Sequence, residues 1–229
     1  MAQLEEILRP PEKDLPPYPA KCIVLASGEK MVIRQARRDE VPILLPDVAA
    51  LTKVERDYYD IVAARAYAEL LGWLRYRVRD EYCLVGLIDG VLCGLVNGRS
   101  LSAKVGVSFH TIAMRRGLRV GAHLFAAKME YHIEHLNQQE VYIVAESPIG
   151  FRRWMIEYGL EKRPQVHHEL GGVMSWSLTR DLYFESRDRL VVGERPVPQD
   201  LVEKAKTILP VPEDQLIKQV TGRIRQAES

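Results

Sequence analysis

The stretch YCLVGLIDGVLCGLVNGRS, Tyr82 to Ser100, restricts this chain more than any other. Two apolar runs flank the dipeptide Asp89-Gly90. That pair accepts positive φ at both central positions of a two-residue turn, so the spacing predicts a β-hairpin. KVGVSFHTIAM (104–114) follows as the next strand. Alternation puts Val105, Val107, Phe109, Thr111 and Ala113 on one face and Gly106, Ser108, His110, Ile112 and Met114 on the other.

Upstream, MVIRQA (31–36) reads as a strand and RRDEVPILLPDVAALTK as a proline-interrupted helical region. DYYDIVAARAYAELLGWLRYRV (57–78) predicts a clearer helix, with Val62, Ala66, Leu70 and Leu74 recurring at fours and Asp57 as its cap. Downstream, a helix running to about Leu136 carries two apolar stripes. One is Val120, Leu124, Ala127 and Tyr131; the other is Phe125, Met129, Ile133 and Leu136. So wide an apolar surface calls for burial against a sheet. EVYIVAES (140–147) reads as a short, covered central strand. PIGFRRWMIEYGLEK reads as a helix with Pro148 in its first turn and Gly159 near its end. QVHHEL and GGVMSWSLTRDL read as two closing strands.

The ends differ in texture. Residues 1–30 form a proline-rich N-terminal segment, RPPEKDLPPYPAK at its centre, whose fixed φ angles and missing donors suit an extended arm. Residues 185–229 form a C-terminal tail. Its two stretches, RPVPQDLVEKAKTIL and PVPEDQLIKQVTGRI, align from Pro196 and Pro210. Each predicts a proline stop, an aspartate at the helix start and a short amphipathic helix. Helices that short need a surface to pack on, in this domain or a partner. Formal net charge is +1, which removes a bulk drive onto nucleic acid or anionic membrane. No apolar run approaches membrane-spanning length, and the N-terminus does not resemble a signal peptide. The three cysteines lack metal spacing, and Cys83 and Cys93 sit in apolar runs. Buried free thiols in a reducing, cytoplasmic setting are the expectation.

TIAMRRGLRVGAHLF (111–125) places three arginines and two glycines where strand turns into helix. Open N–H groups in a first helical turn, with the helix dipole behind them, form a ready anion site, and glycines let a ligand come close. No Gly-Lys-Ser/Thr P-loop and no Gly-x-Gly-x-x-Gly occurs. His132 and His135 with Glu134 read as a solvated helix face rather than a metal site, and no metal is expected. His167-His168 point to opposite faces of a strand. Ser147 before Pro148 reads as a helix cap rather than a nucleophile.

The order of elements from about Met31 to Leu182, with this loop, resembles the GCN5-related N-acetyltransferase superfamily. Arg116, Arg119 and Gly121 fall on the first, fourth and sixth places of that family's acyl-CoA loop, and Gly117 on the second. Arginine therefore stands where the middle glycine is usual. RRWMIEYGLEK resembles the family's later helix, with Leu160 in place of a phenylalanine, and LIDGVLCGLV its second and third strands. The resemblance implies an α/β (α+β) fold: a mixed, mostly antiparallel twisted sheet with central splayed strands, flanked by helices. The domain spans 31–184, with the arm and tail appended. It further implies acetyl-CoA, or another acyl-CoA, held by Thr111, Ile112, Ala113, Arg115, Arg116, Gly117, Arg119, Val120, Gly121 and Ala122. Transfer to a primary amine, on a small molecule or peptide, would follow by direct attack.

The family's leaving-group tyrosine falls on Met155 here, beside Trp154, so protonation of the leaving thiolate would fall to Tyr158, which is nearby but out of register, to water, or to no group at all. His110 is the candidate base, with a core histidine as the competing reading. Tyr58, Tyr59, Tyr67, Trp73 and Tyr76 lie on the helix that shapes the family's acceptor pocket, and core packing explains them equally well. Two other functions fit: a non-catalytic structural or assembly subunit, as in a virus particle, gripping neighbours or itself through the arms, and an acyl-CoA-binding regulatory module.

Overall fold

The Asp-Gly hairpin forms as its spacing predicts. Strands β3 (Glu81–Ile88) and β4 (Val91–Ser100) pair antiparallel, and the turn residues Asp89 and Gly90 sit at φ +50° and +82°. A computed structural model describes residues 4, 8, 13–78, 80–150, 154–171 and 174–222, and there the hairpin is the centre of an eight-stranded sheet. On one side lie β2 (Lys30–Gln35) and the edge strand β1 (Lys21–Val24), both antiparallel. On the other, β5 (Val105–Ala113) pairs antiparallel with β4, and β6 (Glu140–Ile143) runs parallel to β5. β8 (Trp176–Thr179) and the two-residue β7 (Glu161–Lys162) complete the far edge.

Helices cover both faces. α1 (Val41–Leu51), which carries Pro46 inside it, and α2 (Tyr59–Leu74) bury Leu44, Val48, Leu51, Ala66 and Leu70 against Cys83, Val85, Leu95 and Ile112. α3 (Val120–Glu130) covers the opposite face and runs on into a π turn, Tyr131–His135. Its two apolar stripes separate. Val120, Leu124, Ala127 and Tyr131 pack with Met31, Ile33 and Leu84, whereas Phe125, Met129 and Ile133 pack with Val141, Ile143 and Leu178. One helix therefore seals both halves of the sheet, which is why its apolar surface is so wide.

The tail folds onto the same domain. α4 (Arg180–Leu190) begins where the last strand ends, with Thr179 as its cap. α5 (Gln199–Ala205) and α6 (Glu213–Thr221) start after Pro198 and Pro212, both at φ −53°. Their Leu201, Ala205, Leu216 and Val220 join the core under α1 and α2, and Val211 N–H donates to Asp47 Oδ2 at 3.2 Å.

Several expectations are revised. Residues 21–24, counted with the arm, form β1, because Cys22 and Ile23 bury on β2 while the prolines end at Pro19. Asp57 does not cap α2: Asp57 and Tyr58 are both left-handed, at φ +56° and +62°, and Tyr58 is the N-cap. β6 ends at Ile143 rather than Ser147. QVHHEL is not a strand, since His168 turns inward to meet the Ser108 carbonyl at 3.1 Å. His132 is fully buried rather than solvated, bonded to Tyr82 Oη at 2.7 Å and Gln138 Oε1 at 2.6 Å. In the helix predicted from Pro148, residues 148–150 and 154–157 are helical, and Phe151, Arg152 and Arg153 lie outside the described residues. Gly172 and Val173 of the last predicted strand, and the tail beyond Gly222, lie outside them too.

The arm is held by Gln35, which accepts from Tyr18 N–H, by Tyr131, which donates to the Pro16 carbonyl, and above all by one buried carboxylate. Glu130, at the end of α3 and 3% exposed, accepts from Tyr18 Oη at 2.7 Å, Lys21 Nζ at 2.8 Å and Arg195 Nη1 at 2.9 Å. Burial opposes its charge, but the bonds from Arg195, Lys21 and Tyr18 hold its carboxyl at about 2. Glu130→Ala strands the buried Lys21 ammonium, so it should lower unfolding free energy by about 3–5 kcal/mol in urea titrations. Because the folded pKa lies below the unfolded value of 4.5, this contribution is complete above that value and disappears as pH falls towards 2.

Candidate active site

β5 and β6 share only four pairs, Val105↔Glu140 to Ser108↔Ile143. Beyond them β6 leaves the sheet while β5 continues to Ala113, and the two strands diverge as a wedge. A β-bulge sits at the apex. Between Val96↔Thr111 and Gly98↔Ser108, three steps of β5 face two of β4. Asn97 fills the irregularity: its Oδ1 accepts from His110 N–H at 3.0 Å and its Nδ2 donates to Glu81 Oε1 at 2.6 Å. The extra residue also breaks the alternation expected for this strand. Gly106 faces His132 and Gln138 under the α3 layer, and Thr111 and Ala113 face Gly121 of α3. Even and odd positions therefore share a face on either side of the bulge.

The loop after β5 delivers the start of α3 to the mouth of the wedge. Gly117 is at φ +84° and Arg119, the N-cap, at φ +59°. No side chain caps this end, and the first helical bond is His123 N–H to the Arg119 carbonyl at 3.0 Å. Among the described residues the amides of Val120, Gly121 and Ala122 therefore have no acceptor. A Cβ on Gly121 would lie 3.3 Å from Ala113 Cβ, so glycine lets the helix end press against the strand.

Between loop and wedge lies a cavity of about 350 Å³. Thr111, Ile112, Ala113, Arg115, Arg116, Gly117, Arg119, Val120, Gly121 and Ala122, the full set named from the sequence, line it together. Asp57, Tyr59, Val62, Ser147, Ile149, Gly150 and Trp154 supply the opposite wall. Ser147 caps the turn beside it, accepting from Gly150 N–H at 3.1 Å. Tyr59 Oη donates to the Ala113 carbonyl at 2.5 Å.

The arginines divide their work differently from the sequence expectation. Arg115 makes a two-toothed pair with Glu29, at 2.8 and 3.0 Å. Arg116 reaches Asp57 at 2.5 Å and the Val220 carbonyl at 3.2 Å. Both charges are met from within, so these side chains brace the cavity walls. Arg119 is half exposed, and its carboxylate neighbour, Glu157, is 3.8 Å away. Its head is the loosely held cation at the cavity mouth.

Neither catalytic candidate is among the residues that line the cavity. Tyr158 is not at this cavity; it lies on the far side of α3, edge-on to Phe125 at 5.4 Å, and burial pushes its phenol up. Met155 is core, and Trp154 stacks on Phe125 at 4.3 Å. His110 lies buried beside the apex. Its Nδ1 meets Glu146 Oε2 at 2.9 Å, and among the described residues its Nε2 has no partner. In the tautomer that donates Nδ1–H to Glu146, Nε2 is left as an acceptor. Burial works against the Glu146 charge, but bonds from His110 and Arg65 hold its carboxyl below the usual range.

Lys128 was not anticipated. It is fully buried on α3 and donates to the carbonyls of Phe109 and His110, at 3.2 and 3.0 Å, and to Thr111 Oγ1 at 3.2 Å. Burial brings its ammonium down to about 7, against Glu146, Cys83 and Glu81. The one sequence signal was a lysine set between Ala127 and Met129, among the apolar stripes of α3. Asp57 and Glu146 carried no such signal, because each reaches the site from another element, and Tyr59 was indicated only through the helix that shapes the family's acceptor pocket.

No protein-family model and no curated protein matches the sequence. Solved structures do. An uncharacterised protein from Bacillus halodurans superposes with TM-score 0.53 at 11% identity, over 76% of this chain and 96% of that one. Mycobacterium smegmatis RimJ in complex with CoA-disulfide superposes with TM-score 0.50 at 10% identity, over 71% and 87%. The fold is that of the GCN5-related N-acetyltransferases. Within this acetyltransferase-like fold the splayed pair is β5 and β6, and the Arg-Gly loop lies at its mouth.

The left-handed residues of the loop give a test of its geometry. Gly117→Ala should cost about 1–2 kcal/mol, since a Cβ is placed at positive φ. Arg119→Gly removes the same strain and should leave stability unchanged or raise it by up to about 1 kcal/mol. Thermal or urea unfolding of the two variants reads both signs.

Proposed function

We propose that the chain is an acyl-CoA-dependent N-acyltransferase that transfers an acetyl or related acyl group to a primary amine by direct attack. One observation carries this reading: a single cavity joins three unbonded helix amides to the opened edge of β5. An acyl-CoA is a long ligand, anionic at one end and reactive at the other, and this cavity is laid out the same way. The amides of Val120, Gly121 and Ala122, with the Arg119 side chain, would hold the pyrophosphate. Thr111 to Ala113 would line the pantetheine. The cofactor supplies an activated acyl group, and backbone donors near Thr111 would stabilise the developing oxyanion. His110 Nε2, oriented through Nδ1 by Glu146, would take the proton of the attacking amine.

RimJ, whose structure carries a CoA-disulfide, has this fold, which supports the choice of ligand. The competing reading is a non-catalytic assembly subunit that grips neighbours through its ends. Against it, Tyr18 and helices α5 and α6 are engaged on their own domain.

Titrating acetyl-CoA in a calorimeter separates the readings. Saturable heat and a raised melting temperature are expected. No response at millimolar ligand would leave the assembly reading. Gly121→Trp, which fills the approach to Ala113, should abolish binding while the melting transition stays cooperative. In assays of thiol release across a panel of amines, His110→Ala should lower turnover roughly 10²–10⁴-fold with acetyl-CoA affinity unchanged.

A further inference from the structure

The one tyrosine among the described cavity-lining residues, Tyr59, has its hydroxyl hydrogen committed to the Ala113 carbonyl, and Tyr158 does not line the cavity. Another group stands in the right place. Along β5, Thr111 is the last cavity-lining residue before the strand rejoins β6 at Ser108. It therefore marks the apex end of the cavity on β5, with its methyl turned towards Gly121 of α3. Under the acyl-CoA reading the thioester lies there, beside the backbone donors assigned to its oxyanion.

Thr111 Oγ1 receives a hydrogen bond from Lys128 Nζ at 3.2 Å. The ammonium has only protons to give, and its other bonds go to the Phe109 and His110 carbonyls. The threonine must therefore accept from the lysine, and its own hydrogen points elsewhere. Among the described residues no acceptor meets it, while the residue itself borders the cavity.

Resting on the acyl-CoA reading above, we infer that Lys128 and Thr111 form a proton relay to the leaving sulfur. As the nitrogen–carbon bond forms and the carbon–sulfur bond breaks, sulfur departs with the electron pair. The Thr111 hydroxyl gives it a proton, and Lys128 Nζ replaces that proton and becomes neutral. His110 Nε2 takes the proton lost by the attacking nitrogen. One proton leaves the buried cluster and one enters, so its total charge is conserved. Lys128 acts through Thr111 and is a positioning residue. The groups that bear on its charge are Glu81 and Cys83 on β3, His110 on β5, Glu146 after β6, His132 in the π turn and His168 before β8.

The test needs no acceptor amine. Coenzyme A is bound to the full chain, and its thiol is titrated by the ultraviolet absorbance of the thiolate. The relay aims a proton donor at sulfur, so the thiol pKa of bound coenzyme A should fall by about 1 unit or more below that of the free thiol. Thr111→Val and Lys128→Met, each titrated with coenzyme A at saturation, should remove the shift. Thr111→Ser should restore it. A shift of equal size in all variants, or none in the wild type, overturns the relay and leaves the acyl-CoA reading standing. Absence of coenzyme A binding by the wild type overturns both. If Lys128→Met does not fold, the Thr111→Val and Thr111→Ser pair decides the matter.

Discussion

The β-bulge at Phe109 and His110 is the constraint on which the rest of the site depends. A bulge interrupts the ladder and leaves backbone groups that must be bonded some other way in a buried sheet. Two side chains do this. Asn97 accepts the His110 amide, and Lys128 donates to both bulge carbonyls. With those groups satisfied, β5 can turn away from β6 after Ser108 without stranding its polar edge, and the wedge opens. The same bulge moves Thr111 and Ala113 onto the α3 side, where Gly121 brings the helix end against them. Site and sheet are thus one structural decision.

Burying a lysine to cap a bulge is expensive, since an ammonium out of water loses its hydration. Here the cost is reduced by three oxygen acceptors and by the nearby carboxylates of Glu146 and Glu81. The site also spends backbone strain: Arg119 holds a left-handed conformation that glycine would adopt freely. Strain and buried charge concentrate at one end of the cavity and at the other, while the apolar clusters on either side of the sheet are continuous. That division is usual where a stable scaffold carries a reactive site.

Much of the fold was legible because it rests on short-range rules. Asp89-Gly90 specified its own turn, and the wide apolar surface of α3 specified burial against a sheet. The loop residues named from TIAMRRGLRVGA all reached one cavity, because strand, turn and helix start are contiguous. Legibility failed where a partner came from far away. Asp57 looked like a cap, but Arg116 lies 2.5 Å from it in the fold. Arg115 looked like a phosphate ligand, but Glu29 claims it. His132 looked solvated, but the π turn carries it under Tyr82. Tyr158 was near the right place in sequence and on the wrong side of the helix in space.

The amino-acid sequence by itself determined the hairpin, the order of elements and the open, glycine-flanked start of α3, since turn chemistry and periodicity act over a few residues. Only the tertiary structure decided which charges are free. Buried hydrogen bonds join residues far apart in the chain, 112 positions from Glu130 to Tyr18 and 164 from Val211 to Asp47. Such distances are set when the sheet and its helices close around one another, and no local pattern records them.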